Sequence, residues 1–121
     1  MKILVVDDDT NFRHTLVLYL NSNGWEVDEA ADGLEGWSKL KESPYDVVIT
    51  DIEMPGMDGF TLRKKAKVKK MKIKFIYMSA YPPAVEKSRQ DTAWLTKPFM
   101  LEKLHRLLQS VVPKPASPGI A

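Results

Sequence analysis

The sequence predicts an α/β domain: a doubly wound, five-stranded parallel sheet with helices on both faces. Strand-like runs alternate with amphipathic stretches along the whole chain, the order produced by successive right-handed β-α-β crossovers. The runs Ile3-Leu4-Val5-Val6 and Val47-Val48-Ile49 carry no polar alternation, so both faces of those strands are expected to be buried. Polar groups stand where the runs stop, with Asp7 and Asp8 after the first, Asp51 after the third, Ser79 after the fourth and Lys97 after the fifth.

The elements follow in order. After the first strand comes Asp7-Asp8-Asp9, where Asp9 or Thr10 can cap a helix with Phe12, Leu16, Tyr19 and Leu20 at helical spacing. Asn23-Gly24 suits a left-handed C-terminal turn. Residues 25–30 form the second strand. Asp32-Gly33 turns the chain into a second helix marked by Leu34, Trp37, Ser38 and Leu40 or Lys41, which stops before Pro44. The third strand ends at Asp51, and the chain then breaks at Pro55-Gly56 and Asp58-Gly59. Residues 60–68 are a third helix, 73–78 a fourth strand and 93–96 a brief fifth strand. Between the last two lies a poorly apolar segment, 84–90, opened by Pro82-Pro83. In the last helix Leu101, Leu104, Leu108 and Val111 or Val112 make one stripe. These elements give one domain over residues 1–112. Residues 113–121 hold three prolines and a glycine and read as a flexible tail or truncated linker.

At 121 residues and 44% hydrophobic composition the chain can build a core without staples. It has no cysteine, which excludes disulfides, thiolate chemistry and Cys-based zinc sites. No apolar run reaches membrane-spanning length and no secretory signal opens the chain, so a cytoplasmic location with no membrane contact is expected. A net charge of +2 is too small to imply nucleic acid by itself. The run of lysines from Arg63 to Lys74 reads either as a solvated helix face or as a surface for an anionic partner. His14 and His105 have no paired ligands nearby in sequence and read as solvent-facing or partly packed. Trp25 and Trp37 read as core or rim aromatics.

In doubly wound sheets the ligand site lies beyond the carboxyl ends of the strands, so Asp7, Asp8, Asp51, Ser79 and Lys97 are expected to converge. Taken singly each has a plainer reading. The acids could cap loops, Ser79 could satisfy local backbone and Lys97 could be a surface lysine. Together, three crowded carboxylates resist ionisation unless a cation joins them. Oxygen donors suit Mg²⁺, or Mn²⁺, and disfavour zinc. A lysine and a hydroxyl beside them suit phosphate oxygens, and a carboxylate can itself hold a covalent phosphoryl group.

Val5-Val6-Asp7-Asp8, the stretch from Asp51 to Gly59, Met78-Ser79-Ala80 and Thr96-Lys97-Pro98-Phe99 together resemble the receiver domain of bacterial two-component response regulators, the chemotaxis-regulator-like kind. The likeness covers about residues 2 to 112. It implies a flavodoxin-like strand order, 2-1-3-4-5. By the resemblance, Asp51 is the phosphoacceptor, and Asp7 and Asp8 hold Mg²⁺ with Asp51 and the backbone carbonyl of Glu53. Ser79 is the switch hydroxyl and Lys97 contacts the phosphoryl oxygens through a site whose Lys97-Pro98 bond is usually cis. Trp94 falls on the aromatic switch position, although packing alone also accounts for a tryptophan in an edge strand. The resemblance also implies that Glu53 and Tyr81 flank the path of hydrolytic water, and bulky Tyr81 is expected to prolong the life of the acyl phosphate.

The resemblance further implies a sensor histidine kinase or phosphotransfer protein as donor, an unspecified downstream protein as target, and no enzyme activity beyond self-phosphorylation and self-dephosphorylation. Nucleic acid is not expected to bind through this domain. The chain departs from the family between Ser79 and Lys97, an interval shorter by about one helical turn. The fourth helix is therefore expected to be short, shifted or loosely held. Rival readings are a receiver-like interaction module that is never phosphorylated, an aspartate-nucleophile phosphatase using Glu53 as its acid, and a flavodoxin-like electron carrier.

Overall fold

A computed structural model of the chain describes residues 2–80 and 92–111. Strands β1 (Lys2–Val6), β2 (Glu26–Ala30), β3 (Val47–Asp51), β4 (Lys74–Ser79) and β5 (Thr92–Thr96) form one sheet in the order β2-β1-β3-β4-β5. Every pairing is parallel. Helices α1 (Thr10–Ser22), α2 (Gly33–Glu42), α3 (Gly59–Val68) and α4 (Leu101–Val111) complete the described chain. The helix expected at residues 84–90, Tyr81 and the segment 113–121 lie outside the described residues.

The unbroken apolar runs have a direct structural cause. Successive strand residues point to opposite faces, and both faces are covered. Ile3, Val5, Val47, Ile49, Ile76 and Met78 pack with Leu16 and Leu20 of α1 and Leu104 and Leu108 of α4. Leu4, Val6, Val48, Phe75 and Tyr77 point the other way, toward Leu40 of α2 and Leu62 and Ala66 of α3. Each fully buried leucine contributes on the order of 2 kcal/mol through burial alone.

Aspartates begin three of the helices. The side chain of Asp9 accepts from the Phe12 N–H, that of Asp32 from Glu35 and that of Asp58 from Thr61. Each thereby satisfies a donor that the first turn leaves open. Asp9 rather than Thr10 takes the cap of α1. Gly24, at φ +88°, makes the left-handed turn expected after that helix.

Helix α2 departs from its expected stripe. Gly33, Gly36 and Leu40 face the core, whereas Leu34 is 59% exposed. The reason is proximity: a Cβ on Gly36 would come within 3.2 Å of the Val6 side chain, so α2 packs on β1 closely enough that a larger residue there would have to push Val6 aside. His105 is partly packed, accepting a hydrogen bond from Trp25 Nε1 at 3.3 Å. His14 lies 3.3 Å from Glu29 on an exposed helix face.

Candidate functional site

Register assembles the site. Val6 pairs with Thr50, so the next residues, Asp7 and Asp51, leave adjacent strands side by side. Asp51 pairs with Met78, one residue before Ser79, and Ser79 pairs with Thr96, one residue before Lys97. Four polar residues distant in sequence thus share the carboxyl edge of the sheet, where the last ladder bonds give way to loops.

Asp7, Asp8 and Asp51 each place a carboxylate oxygen within 4.8 Å of the other two. Asp7 is fully buried, Asp51 is partly buried and Asp8 is exposed. Lys97 reaches across the group. Its Nζ donates to Asp7 Oδ2 at 3.0 Å and stands 3.6 Å from Asp51 Oδ2. The other Asp51 oxygen, Oδ1, accepts the Ile52 N–H at 2.8 Å. Burial pushes the Asp51 carboxyl above its usual range. Lys97 opposes this, Asp7 and Asp8 add to it, and the Ile52 N–H pulls downward. A second cation at this edge would relieve the penalty that one ammonium leaves in place. Three close carboxylates with no sulfur or imidazole donor in the group fit a hard divalent cation such as Mg²⁺.

Gly59 allows this crowding. A Cβ there would meet the Asp51 carbonyl oxygen at 2.5 Å, so only glycine lets α3 start so close to the end of β3.

Comparison with known proteins agrees with this geometry. Residues 3–109 match the family described as response regulator receiver domain. The chain belongs to that family. It is 31% identical to sporulation initiation phosphotransferase F of Bacillus subtilis, covering 93% of this chain and 94% of that protein. It is 36% identical over 89 residues to sensor protein EvgS of Escherichia coli K12, but spans only 7% of that much longer relative. Among solved structures it resembles chemotaxis protein CheY4 of Vibrio cholerae, with a TM-score of 0.84, 32% identity and coverage of 92% of this chain and 98% of that one. It also resembles response regulator TrrA of Thermotoga maritima in complex with Mg²⁺-BeF, with a TM-score of 0.79, 34% identity and the same coverages.

Other expected site residues of this receiver domain are placed less uniformly. Ser79 is buried at the end of β4, where its carbonyl accepts the Lys97 N–H at 2.9 Å. The Lys97-Pro98 peptide is cis, as the resemblance implies. Glu53 is exposed in the loop after β3. Trp94 packs tilted against Tyr77, with ring centroids 4.8 Å apart, and lies 6.0 Å from Phe60, an aromatic cluster on the α3 side of the sheet. The ring is partly buried in the packing of that face.

Two residues beside the site were not assigned to it from the sequence. Arg13 is 8% exposed; its guanidinium donates to the Asp7 carbonyl at 2.6 Å and to Glu29 Oε1 at 2.7 Å. The available signal was an arginine three residues before Leu16 on the buried stripe of α1. Phe12 lies 4.5 Å, ring centroid to Nζ, from Lys97 and packs edge-on against Phe99 at 5.8 Å. Its ring limits where the lysine can go, and its helical spacing alone marked it as core.

Proposed function

We propose that this receiver domain accepts a phosphoryl group on Asp51 from a phosphohistidine of a sensor histidine kinase or phosphotransfer protein. The carrying observation is the Asp7-Asp8-Asp51 group with Lys97 set between two of its members. In the reaction an Asp51 carboxylate oxygen attacks phosphorus, the P–N bond breaks, and the imidazole leaves with its electron pair, yielding an acyl phosphate. The Ile52 N–H orients the carboxylate, and Lys97 supplies positive charge for the phosphoryl oxygens. Asp7, Asp8 and Asp51, with the Glu53 carbonyl, would hold Mg²⁺, or Mn²⁺. That ion supplies charge neutralisation for the incoming phosphoryl group. The Mg²⁺-BeF complex of the similar TrrA supports this reading.

Ser79 and Lys97 then respond to the new negative charge and bias a protein-binding surface. The domain acts in the cytoplasm as an acceptor rather than as an enzyme with free substrates, and Tyr81 lengthens the phosphorylated lifetime. Among the described residues no helix is long and apolar enough to cross a membrane. The decisive experiment is incubation with Mg²⁺ and acetyl phosphate, read by intact mass. One added phosphoryl group that is absent in Asp51→Asn and without Mg²⁺ is expected. No addition under any condition overturns the proposal in favour of a non-phosphorylated interaction module.

A further inference from the structure

The site described above uses nothing from the far side of α3, where the charge of the molecule is concentrated. Residues 59–79 contain eight lysines and arginines and no acid, while the other 100 residues contain ten cations and sixteen acids. Lys64 and Lys65 of α3 and Lys69 just after it rim a groove of about 380 Å³ between α2 and α3, lined also by Trp37, Thr61 and Val68. Its floor is apolar. Val68 is 73% exposed, and the half-buried Trp37 ring faces two ammonium groups, Lys41 at 5.6 Å and Lys65 at 5.8 Å. Among the described residues Lys64, Lys65 and Lys69 have no ion-pair partner.

We propose that this groove docks an acidic, amphipathic segment of a partner protein, which seats a bulky apolar side chain against Trp37 and Val68 and sets carboxylates against Lys64, Lys65 and Lys69. Charge complementarity selects the occupant. A cluster of cations without counter-charges raises the approach rate of an anionic chain, and a tryptophan in a pocket is a typical energetic anchor. Val68, 73% exposed on that floor, offers no partner to phosphates or base edges and favours an apolar protein side chain over nucleic acid. The chain's own residues 112–121 carry a lysine and no acid, so charge disfavours them as occupant. An amphipathic segment satisfies both features at once, as in other helix-in-groove complexes.

The test uses the whole chain and a fluorescent synthetic peptide about four helical turns long. The peptide carries glutamates on one face and a phenylalanine and leucine four residues apart on the other. Anisotropy at physiological ionic strength is expected to show saturable binding. Reversing the lysines together (Lys64→Glu, Lys65→Glu, Lys69→Glu) should weaken it at least tenfold. Val68→Ser, and alanine in place of the peptide phenylalanine, should each weaken it several-fold. All changed positions of the chain are exposed, and Val68→Ser alone keeps the test decisive if charge reversal alters folding. Four outcomes overturn the proposal: no binding, equal binding of polyglutamate, tighter binding of duplex DNA or anionic vesicles, or self-association that charge reversal abolishes.

Discussion

Lys97 Nζ sits 3.0 Å from Asp7 Oδ2 and 3.6 Å from Asp51 Oδ2, closer to the fully buried acid than to the one proposed as phosphoacceptor. The ammonium thus occupies charge that a divalent cation would otherwise use. Asp7 is fully buried and Lys97 is 23% exposed, so water screens the pair only in part. On the proposed function, Mg²⁺ would compete with Lys97 for Asp7, and the released lysine would be free for phosphoryl oxygens. Lys97→Met is expected to tighten Mg²⁺ several-fold in a calorimetric titration while slowing phosphorylation by acetyl phosphate at least tenfold. Unchanged metal affinity would show that the lysine and the ion do not share Asp7.

Asp51 links the site to stability. Its carboxyl is held above the usual range, first by burial, so the native state binds this proton more tightly than the unfolded chain does. Stability from this group is greatest below the unfolded value and falls as pH rises through the interval above 3.8. In metal-free buffer at neutral pH, Asp51→Asn is expected to raise the melting temperature by a few degrees. The gain should vanish near pH 3, where the parent carboxyl is protonated in both states. Mg²⁺ should raise the melting temperature of the parent more than that of the variant.

Arg13 fixes the backbone from which Asp7 projects, through the 2.6 Å bond to the Asp7 carbonyl. Arg13→Met keeps much of the side-chain bulk but leaves that carbonyl and Glu29 without their cationic donor. A loss of about 2 kcal/mol in urea unfolding is expected. Positioning predicts a further several-fold loss of Mg²⁺ affinity below the melting transition, which a purely structural role would not produce.

Lys70, just after α3, is a non-glycine residue at φ +59°. Its N–H donates to the Lys67 carbonyl at 2.9 Å, and the Met71 N–H reaches back to Ala66 at 3.0 Å, closing the helix. Glycine adopts this left-handed conformation without steric cost. Lys70→Gly is expected to stabilise the fold by about 1 kcal/mol in thermal melts, with no effect on phosphorylation.

Local pattern made much of this protein readable. Unbroken apolar runs marked strands buried on both faces, and polar residues at their ends marked the edge where Asp7, Asp51, Ser79 and Lys97 meet. Short-range periodicity and turn chemistry suffice for this, because they act over a few residues. Four motifs in sequence order then named the family. Other features were closed to such reading. Gly33 faces the core against the Met57 backbone and Gly36 against Val6 of β1, approaches that no helical stripe encodes. Arg13 looked like one more helix residue until folding placed it under Asp7. The groove at Trp37 exists only where α2 and α3 pack side by side.

The sequence by itself determined which residues can form strands, caps and turns, and which chemically capable groups end the strands. The tertiary structure alone decided that Lys97 favours Asp7, that Arg13 supports it from below and that a lysine-rimmed groove opens beside α3. Those outcomes depend on strand register and helix approach, which are set by packing the whole chain at once and not by any segment of it.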